Sequence, residues 1–194
     1  GIYGPGPKWK LNKPEDRRKE FAWLRDHGVA GVKIDFFGGD NILNMNYYHD
    51  ILRDALDYNL LVVLHGAVIP RGWQRTYPNL MTMEGVYGAE WYNNNGVLTN
   101  RAATHNATLP FTRNVVGPMD YTPGTFSDSQ HKHITSHGHE LALYFLFESA
   151  LQHMPDRPES YAALPTEVKG LLSSLPTVWD ETRLLDGYTA HHVV

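Results

Sequence analysis

Gly31-Val32-Lys33-Ile34-Asp35-Phe36 is a short apolar run that stops at a carboxylate. Its brevity and its β-branched Val and Ile read as a strand over 29–36. The pattern recurs. Leu60-Leu61-Val62-Val63-Leu64 ends in His65-Gly66, and the weaker run Asn79-Leu80-Met81-Thr82-Met83 ends in Glu84, with Glu90 close behind. The unbroken apolar character of 60–65 fits a strand covered on both faces, as in a parallel sheet. In a parallel α/β barrel the strand ends line the active site, so carboxylates there point to chemistry. Convergent carboxylates with His, Trp and Tyr nearby point to acid/base or nucleophilic work on a carbohydrate.

Helical periodicity fills the gaps. The first helix is expected over 14–27, with Asn12 as cap, Pro14 in the first turn, Phe21 and Leu24 on one face, and Gly28 as the stop. The second is expected over 46–58, with Tyr47, Ile51, Ala55 and Tyr58 at helical spacing. A loop at 68–79 carries Pro70, Gly72 and Pro78. The Asn-rich stretch 92–106 reads as loop plus helix. A fourth strand is expected within 111–120, ended by Pro118. A long apolar helix over 138–151 should run into a fifth strand near Gln152. A short amphipathic helix follows at 165–175, and the chain is strand-like from Trp179. Helix and strand alternate at roughly thirty-residue spacing, the βα signature. A full barrel takes about 250 residues, so the fold class expected is α/β, the C-terminal portion of a (β/α)8 TIM barrel.

The chain has 194 residues, enough for one domain with a real core. Formal net charge is -4, with both signs interspersed, which excludes a nucleic-acid patch or a polybasic membrane anchor. There are no cysteines, so neither a disulfide framework nor a thiolate metal site is possible. No apolar run approaches the ~20 residues of a bilayer span. The opening Gly1-Ile2-Tyr3-Gly4-Pro5-Gly6-Pro7 has neither a basic n-region nor an apolar h-region, and no initiator Met, so the chain is expected to begin inside a longer gene product.

Asp35 at a strand mouth reads as a nucleophile or base; the alternative is an ion pair with Lys33, which shares its strand parity. Glu84 and Glu90 can share a hard cation through oxygen ligands, serve as a general acid, or be solvated loop acids. His65 is either a sugar-hydroxyl donor or a satisfied core group. Arg71, Arg75, Arg113 and Asp120 lie at the same presumed mouth and are surface residues by default. His131, His133, His137 and His139 have metal-like spacing without supporting carboxylates, and the sequon at Asn106 is discounted. A buried Trp179 beside a charged turn is expected.

At these residues the chain resembles glycoside hydrolase family 97. The blocks that carry the resemblance are Gly-Val-Lys-Ile-Asp-Phe at 31–36, His-Gly-Ala at 65–67, Arg-Thr-Tyr-Pro-Asn-Leu at 75–80 and Glu-Gly-Val at 84–86 with Glu90. Leu-Pro-Phe-Thr-Arg at 109–113, Gly-Pro-Met-Asp-Tyr-Thr-Pro-Gly at 117–124 and Val-Trp-Asp-Glu-Thr-Arg at 178–183 extend it in order. The resemblance implies barrel strands of about 4–8 over 1–185, with 186–194 opening a C-terminal β-sandwich. It implies cleavage of α-linked hexosides with Ca²⁺ in the site. Inverting α-glucosidase members carry a Glu base where this chain has Gly66, and retaining members carry the strand-end Asp. Asp35 with Gly66 therefore implies the retaining, α-galactosidase-like group. Asp35 is then the nucleophile, Glu90 the acid/base, Glu84 and Glu90 calcium ligands, and His65, Arg113 and Asp120 sugar contacts. Retention calls for two carboxyl groups about 5–5.5 Å apart. The alternatives are an inverting α-glucosidase, and an inactive partial barrel that self-associates through open sheet edges. Family membership also implies export to the periplasm or medium of a Gram-negative bacterium.

Overall fold

The computed structural model describes residues 10–91, 95–128 and 130–194. They form two compact units, one running to Gly85 and including Val116–Asp120, the other comprising Val86–Val115 and Tyr121–Val194. Among the described residues no helix is long and apolar enough to cross a membrane.

The first unit contains helix α1 (Pro14–Asp26), strand β1 (Gly31–Ile34), helix α2 (Ile42–Asp57), strand β2 (Leu61–Leu64) and strand β3 (Leu80–Met83). The strands pair in parallel in the order β1-β2-β3. Parallel neighbours need a long crossover. Helix α2 supplies it between β1 and β2, while β2 reaches β3 through a loop with one 3-10 turn at Trp73–Arg75. The sheet is therefore α/β, as expected.

Helix α1 begins on Pro14 without the expected cap from Asn12. Lys13 occupies the N-cap position with no side-chain hydrogen bond. Proline's fixed φ and missing N–H make a cap less necessary there. Helix α2 starts earlier than its apolar spacing suggests, because Asn41 accepts the N–H of Asn44 at 3.0 Å and nucleates the first turn. Its buried row runs through Tyr48, Ile51, Leu52 and Ala55, with Tyr47 and Tyr58 at the margin. That row packs with Phe21 and Leu24 of α1 on Val32, Ile34, Val62 and Leu64. Asp54 of α2 is buried beside Arg17 of α1, their Oδ2 and Nε atoms 2.6 Å apart, and Arg17 also donates to the Leu11 carbonyl.

One irregularity fixes the geometry of the strand ends. Val62 pairs with Leu80, but Val63 pairs with Thr82 and Leu64 with Met83, so Met81 is an extra residue in a β-bulge. With regular pairing Met83 would stand level with His65. The bulge advances β3 by one position, and Glu84 takes that level instead.

Between 111 and 120 the expected fourth strand is replaced by 3-10 turns at Leu109–Phe111 and Asn114–Val116. Only Met119 pairs, in a single parallel bridge with Met83. Gly117, at φ 139°, and Pro118, with no N–H to give a ladder, account for the interruption.

The second unit carries short helices α3 (Gly96–Thr99), α4 (Ala102–Thr108), α5 (His137–Leu146), α6 (Pro158–Ala162) and α7 (Thr166–Ser173). The part of the 92–106 expectation that covers 92–94 lies outside the described residues. Helix α5 ends at Leu146, short of 151. Beyond it Gln152 donates to the Phe147 carbonyl and Ser149 to the Leu151 carbonyl, and such local bonds compete with both helix and strand. No strand forms near Gln152. Phe126, Tyr144, Leu164 and Leu172 make a small core. Trp179 is 40% exposed, against the burial expected for it. The strand-like tail is an antiparallel hairpin of β4 (Gly187–Tyr188) and β5 (His192–Val193).

Candidate active site

Three strand ends and one bridged residue of the first unit each deliver an ionisable residue. Asp35 follows β1, His65 follows β2, Glu84 follows β3 and Asp120 follows the bridged Met119. The backbone ladder continues one step beyond the strands. His65 N–H donates to Ile34 O at 2.8 Å, Glu84 N–H to Leu64 O at 2.8 Å, and Asp120 N–H to Met83 O at 2.9 Å. Side chains at one level of such a ladder face the same way. Main-chain pairing thus assembles the group. All four residues are buried, Asp120 most deeply at 2% exposure.

His65 is the hub. Its Nδ1 lies 2.8 Å from Asp120 Oδ2 and its Nε2 lies 3.2 Å from Glu84 Oε1. A cation also reaches Asp120: Lys33 Nζ stands 2.8 Å from the same Oδ2. Lys33 is thus committed to Asp120, and the Lys33–Asp35 pair weighed from strand parity does not form. Glu84 Oε2 accepts the Gly66 N–H at 2.7 Å. Asp120 and Glu84 are each held by a neighbouring strand end, a satisfied network of the kind buried carboxylates require.

Asp35 differs. Among the described residues no cation pairs with it, and its one hydrogen bond is local, Phe36 N–H to Oδ1 at 2.6 Å. Phe36 itself sits at φ 69°, a conformation that is strained for a bulky side chain and that clusters at functional sites. The turn is held from behind. Phe37 stacks on Tyr48 with ring centroids 4.2 Å apart, and Phe37 N–H donates to Gly66 O at 3.2 Å. Burial pushes the Tyr48 phenol up to about 12, so it stays neutral and accepts the Val68 N–H. Gly66 is at φ 52°, and a Cβ there would lie 2.5 Å from Asp35 Oδ1 and 2.7 Å from Phe36 N. No side chain fits at 66 while Asp35 is so placed.

Glu90 and Arg113 belong to the second unit. Glu90 is exposed and lines a cavity of about 260 Å³ with Thr122, Thr125, Ser127, Asp156 and Arg157. Arg113 is 7% exposed. In the same unit Asn106 is fully buried. Its Oδ1 accepts from Tyr121 Oη at 2.6 Å and its Nδ2 donates to His139 Nε2 at 2.9 Å, so its sequon is inaccessible. Burial lowers the His139 pKa, which keeps Nε2 free to accept. His133 turns to Asp128 and His137 stands edge-on to Phe126; with His139 on Asn106, these do not converge on a metal.

The strand-end carboxylates and His65 were all legible as candidates. The role of Lys33 was missed in favour of the nearer Asp35. Nothing in the sequence marks Thr122 and Arg157 as lining one cavity with Glu90.

Comparison with known proteins accords with this arrangement. The family model described as Glycoside hydrolase 97 matches residues 8–86. A probable retaining alpha-galactosidase from Streptomyces bingchenggensis is 45% identical over 177 residues, covering 91% of this chain and 27% of that protein. A retaining alpha-galactosidase from Bacteroides thetaiotaomicron is 33% identical, over 86% of this chain and 26% of its own length. The chain thus spans about a quarter of the curated relatives it matches. Among solved structures, a beta-arabinopyranosidase superposes with a TM-score of 0.91 at 32% identity, over 97% of this chain and 33% of that one. A glycoside hydrolase family 97 enzyme from Pseudoalteromonas sp. strain K8, in complex with panose, gives 0.83 at 25% identity, over 100% of this chain and 32% of that one.

Proposed function

The chain belongs to glycoside hydrolase family 97, and on that footing we propose that it carries the catalytic carboxylates of a retaining α-glycosidase acting on α-galactosides. The observation that carries the reading is the pairing of Asp35 with Gly66. Asp35 is buried, unpaired by any described cation, and faces a position where no side chain can stand. A water-activating carboxylate at 66, which inversion would use there, is sterically excluded.

In this reading Asp35 attacks the anomeric carbon as the glycosidic C–O bond breaks, and Glu90 gives its proton to the leaving oxygen. Glu90 then takes a proton from water, whose oxygen displaces Asp35 and restores the starting anomer. Lys33 and His65 hold Asp120, and His65 also meets Glu84, so that the polar wall stays fixed as charge develops. Glu84 and Glu90 would hold a Ca²⁺ ion, a hard cation that suits their carboxylate oxygens. Bound there, the ion would supply positive charge that orients sugar hydroxyls. His65, Asp120 and Arg113 are proposed sugar contacts.

A pentoside is the second reading, favoured by the likeness to a beta-arabinopyranosidase. β-L-Arabinopyranosides share the ring configuration of α-D-galactosides and lack only the C6 hydroxymethyl group. The finer fold assignment, strands four to eight of a barrel with a sandwich starting at 186, belongs to the same proposal, as do self-association through sheet edges and export from the cell.

The test uses the full-length protein. NMR should detect the α-anomer first from an aryl α-galactoside, and Asp35→Gly should lose at least about a thousandfold in kcat, with azide restoring product as a β-galactosyl azide. First release of the β-anomer, or a variant of near-normal activity, would refute the proposal.

A further inference from the structure

The cavity beside Glu90 has an unusual division of labour. One wall is locked. Asp156 Oδ2 accepts from Phe126 N–H and Ser127 N–H at 2.8 Å each, and Oδ1 accepts from Ser127 Oγ at 2.7 Å and Arg157 N–H at 2.8 Å. Tyr161 Oη ties this wall to the turn below, donating to the Gly124 carbonyl and accepting the Asp156 N–H, both at 3.1 Å. Ser127 and Asp156 are therefore spent on structure.

Three side chains of the lining, those of Thr122, Thr125 and Arg157, are unspent. Among the described residues the hydroxyls of Thr122 and Thr125 and the guanidinium of Arg157 make no hydrogen bond or ion pair. Thr122 is 8% exposed and sits at φ 56°, in the left-handed region that a β-branched residue avoids. Such strain persists only where neighbours over-determine it. They do so here. The Tyr121 carbonyl accepts the Ala89 N–H at 2.9 Å, a Cβ at Gly88 would come within 2.6 Å of that oxygen, and the Tyr121 hydroxyl is fixed on Asn106.

The structure assigns this cavity, we propose, as the seat of the leaving group: a neutral, hydroxyl-bearing ring such as a sugar or polyol, held by Thr122, Thr125 and Arg157 beside Glu90. The assignment rests on Glu90 being the acid that protonates the departing oxygen. Two carboxylates against one guanidinium disfavour an anionic occupant. Unspent hydroxyls and a five-donor guanidinium match the donor and acceptor oxygens of a polyol. At about 260 Å³ the space lies just below the ~300–1,000 Å³ of drug-sized ligand sites, so it suits a single ring.

The experiment compares two substrates of the full-length protein, a galactosyl-hexose disaccharide and α-galactosyl fluoride, which has no ring on the leaving side. Thr125→Val keeps the shape and removes one hydroxyl; Arg157→Ala removes the guanidinium and keeps its backbone N–H on Asp156. Each variant should lose roughly three- to tenfold in kcat/KM on the disaccharide, the worth of one or two hydrogen bonds, and under about twofold on the fluoride. Equal losses on both substrates, or none on the disaccharide, would overturn the assignment while leaving the hydrolase reading intact. Failure of the unaltered protein to hydrolyse either would overturn both.

Discussion

A Cβ on Gly66 would stand 2.5 Å from the Oδ1 of Asp35, closer than real Cβ atoms come to a neighbour. The nucleophile candidate and the glycine are thus two halves of one feature. The backbone at 66 also sits at φ 52°, which glycine adopts freely and other residues do not.

Gly66→Ala should therefore damage both stability and rate. The methyl group must displace Asp35 or the Phe36 amide, and the residue must hold a left-handed conformation, together costing about 1–3 kcal/mol. A displacement of about 1 Å at the reacting group costs on the order of a hundredfold in kcat. Thermal unfolding and kcat on an aryl galactoside should both fall. Unchanged kcat would show that Asp35 is not held as described.

The ion pair of Arg17 and Asp54 makes a sharper stability prediction. Both side chains are almost wholly buried, at 2% and 3% exposure. Removing one partner strands the other's charge, so Asp54→Ala should destabilise by about 3–5 kcal/mol in urea unfolding. Arg18 also reaches Asp54, at 3.1 Å, but its side chain is 56% exposed. Arg18→Ala should leave the unfolding midpoint nearly unchanged.

Acid should reveal the wall built on Asp156. Burial pushes its pKa up, but the hydrogen bonds from Ser127, Arg157 and Phe126 outweigh that and hold it below the ordinary 3.8. A carboxyl depressed in the folded state contributes stability above its unfolded value and loses it as pH falls through the folded one. Asp156→Asn should thus lower the urea midpoint at pH 7. Below about pH 3.8 the difference should shrink, because the unaltered residue is then becoming a neutral acid too. A gap that stays constant down to pH 2.5 would contradict this account.

The sheet was legible because its cause is local: β-branched apolar runs at 31–34 and 61–64 have little alternative to being buried strands. The strand-end candidates Asp35, His65 and Glu84 were legible for the same reason. What failed depends on partners distant in sequence. Lys33 shares parity with Asp35, yet it bonds Asp120, which a single parallel bridge at Met119 brings into reach. The fourth strand expected over 111–120 failed because one glycine and one proline outweigh the apolar pattern around them. The left-handed turn at Thr122 left no trace in residue type, since nothing in a threonine announces positive φ.

The bulge in β3 also gives that strand a residue in reserve. Excising Met81 would flatten the pairing yet leave Glu84 opposite the same neighbour, because Leu80, Thr82 and Met83 would then meet Val62, Val63 and Leu64 one for one. Strands β1 and β2 pair residue for residue and hold no such slack. A one-codon deletion can be absorbed in β3, while the same loss in either companion would turn a carboxylate or an imidazole to the opposite face.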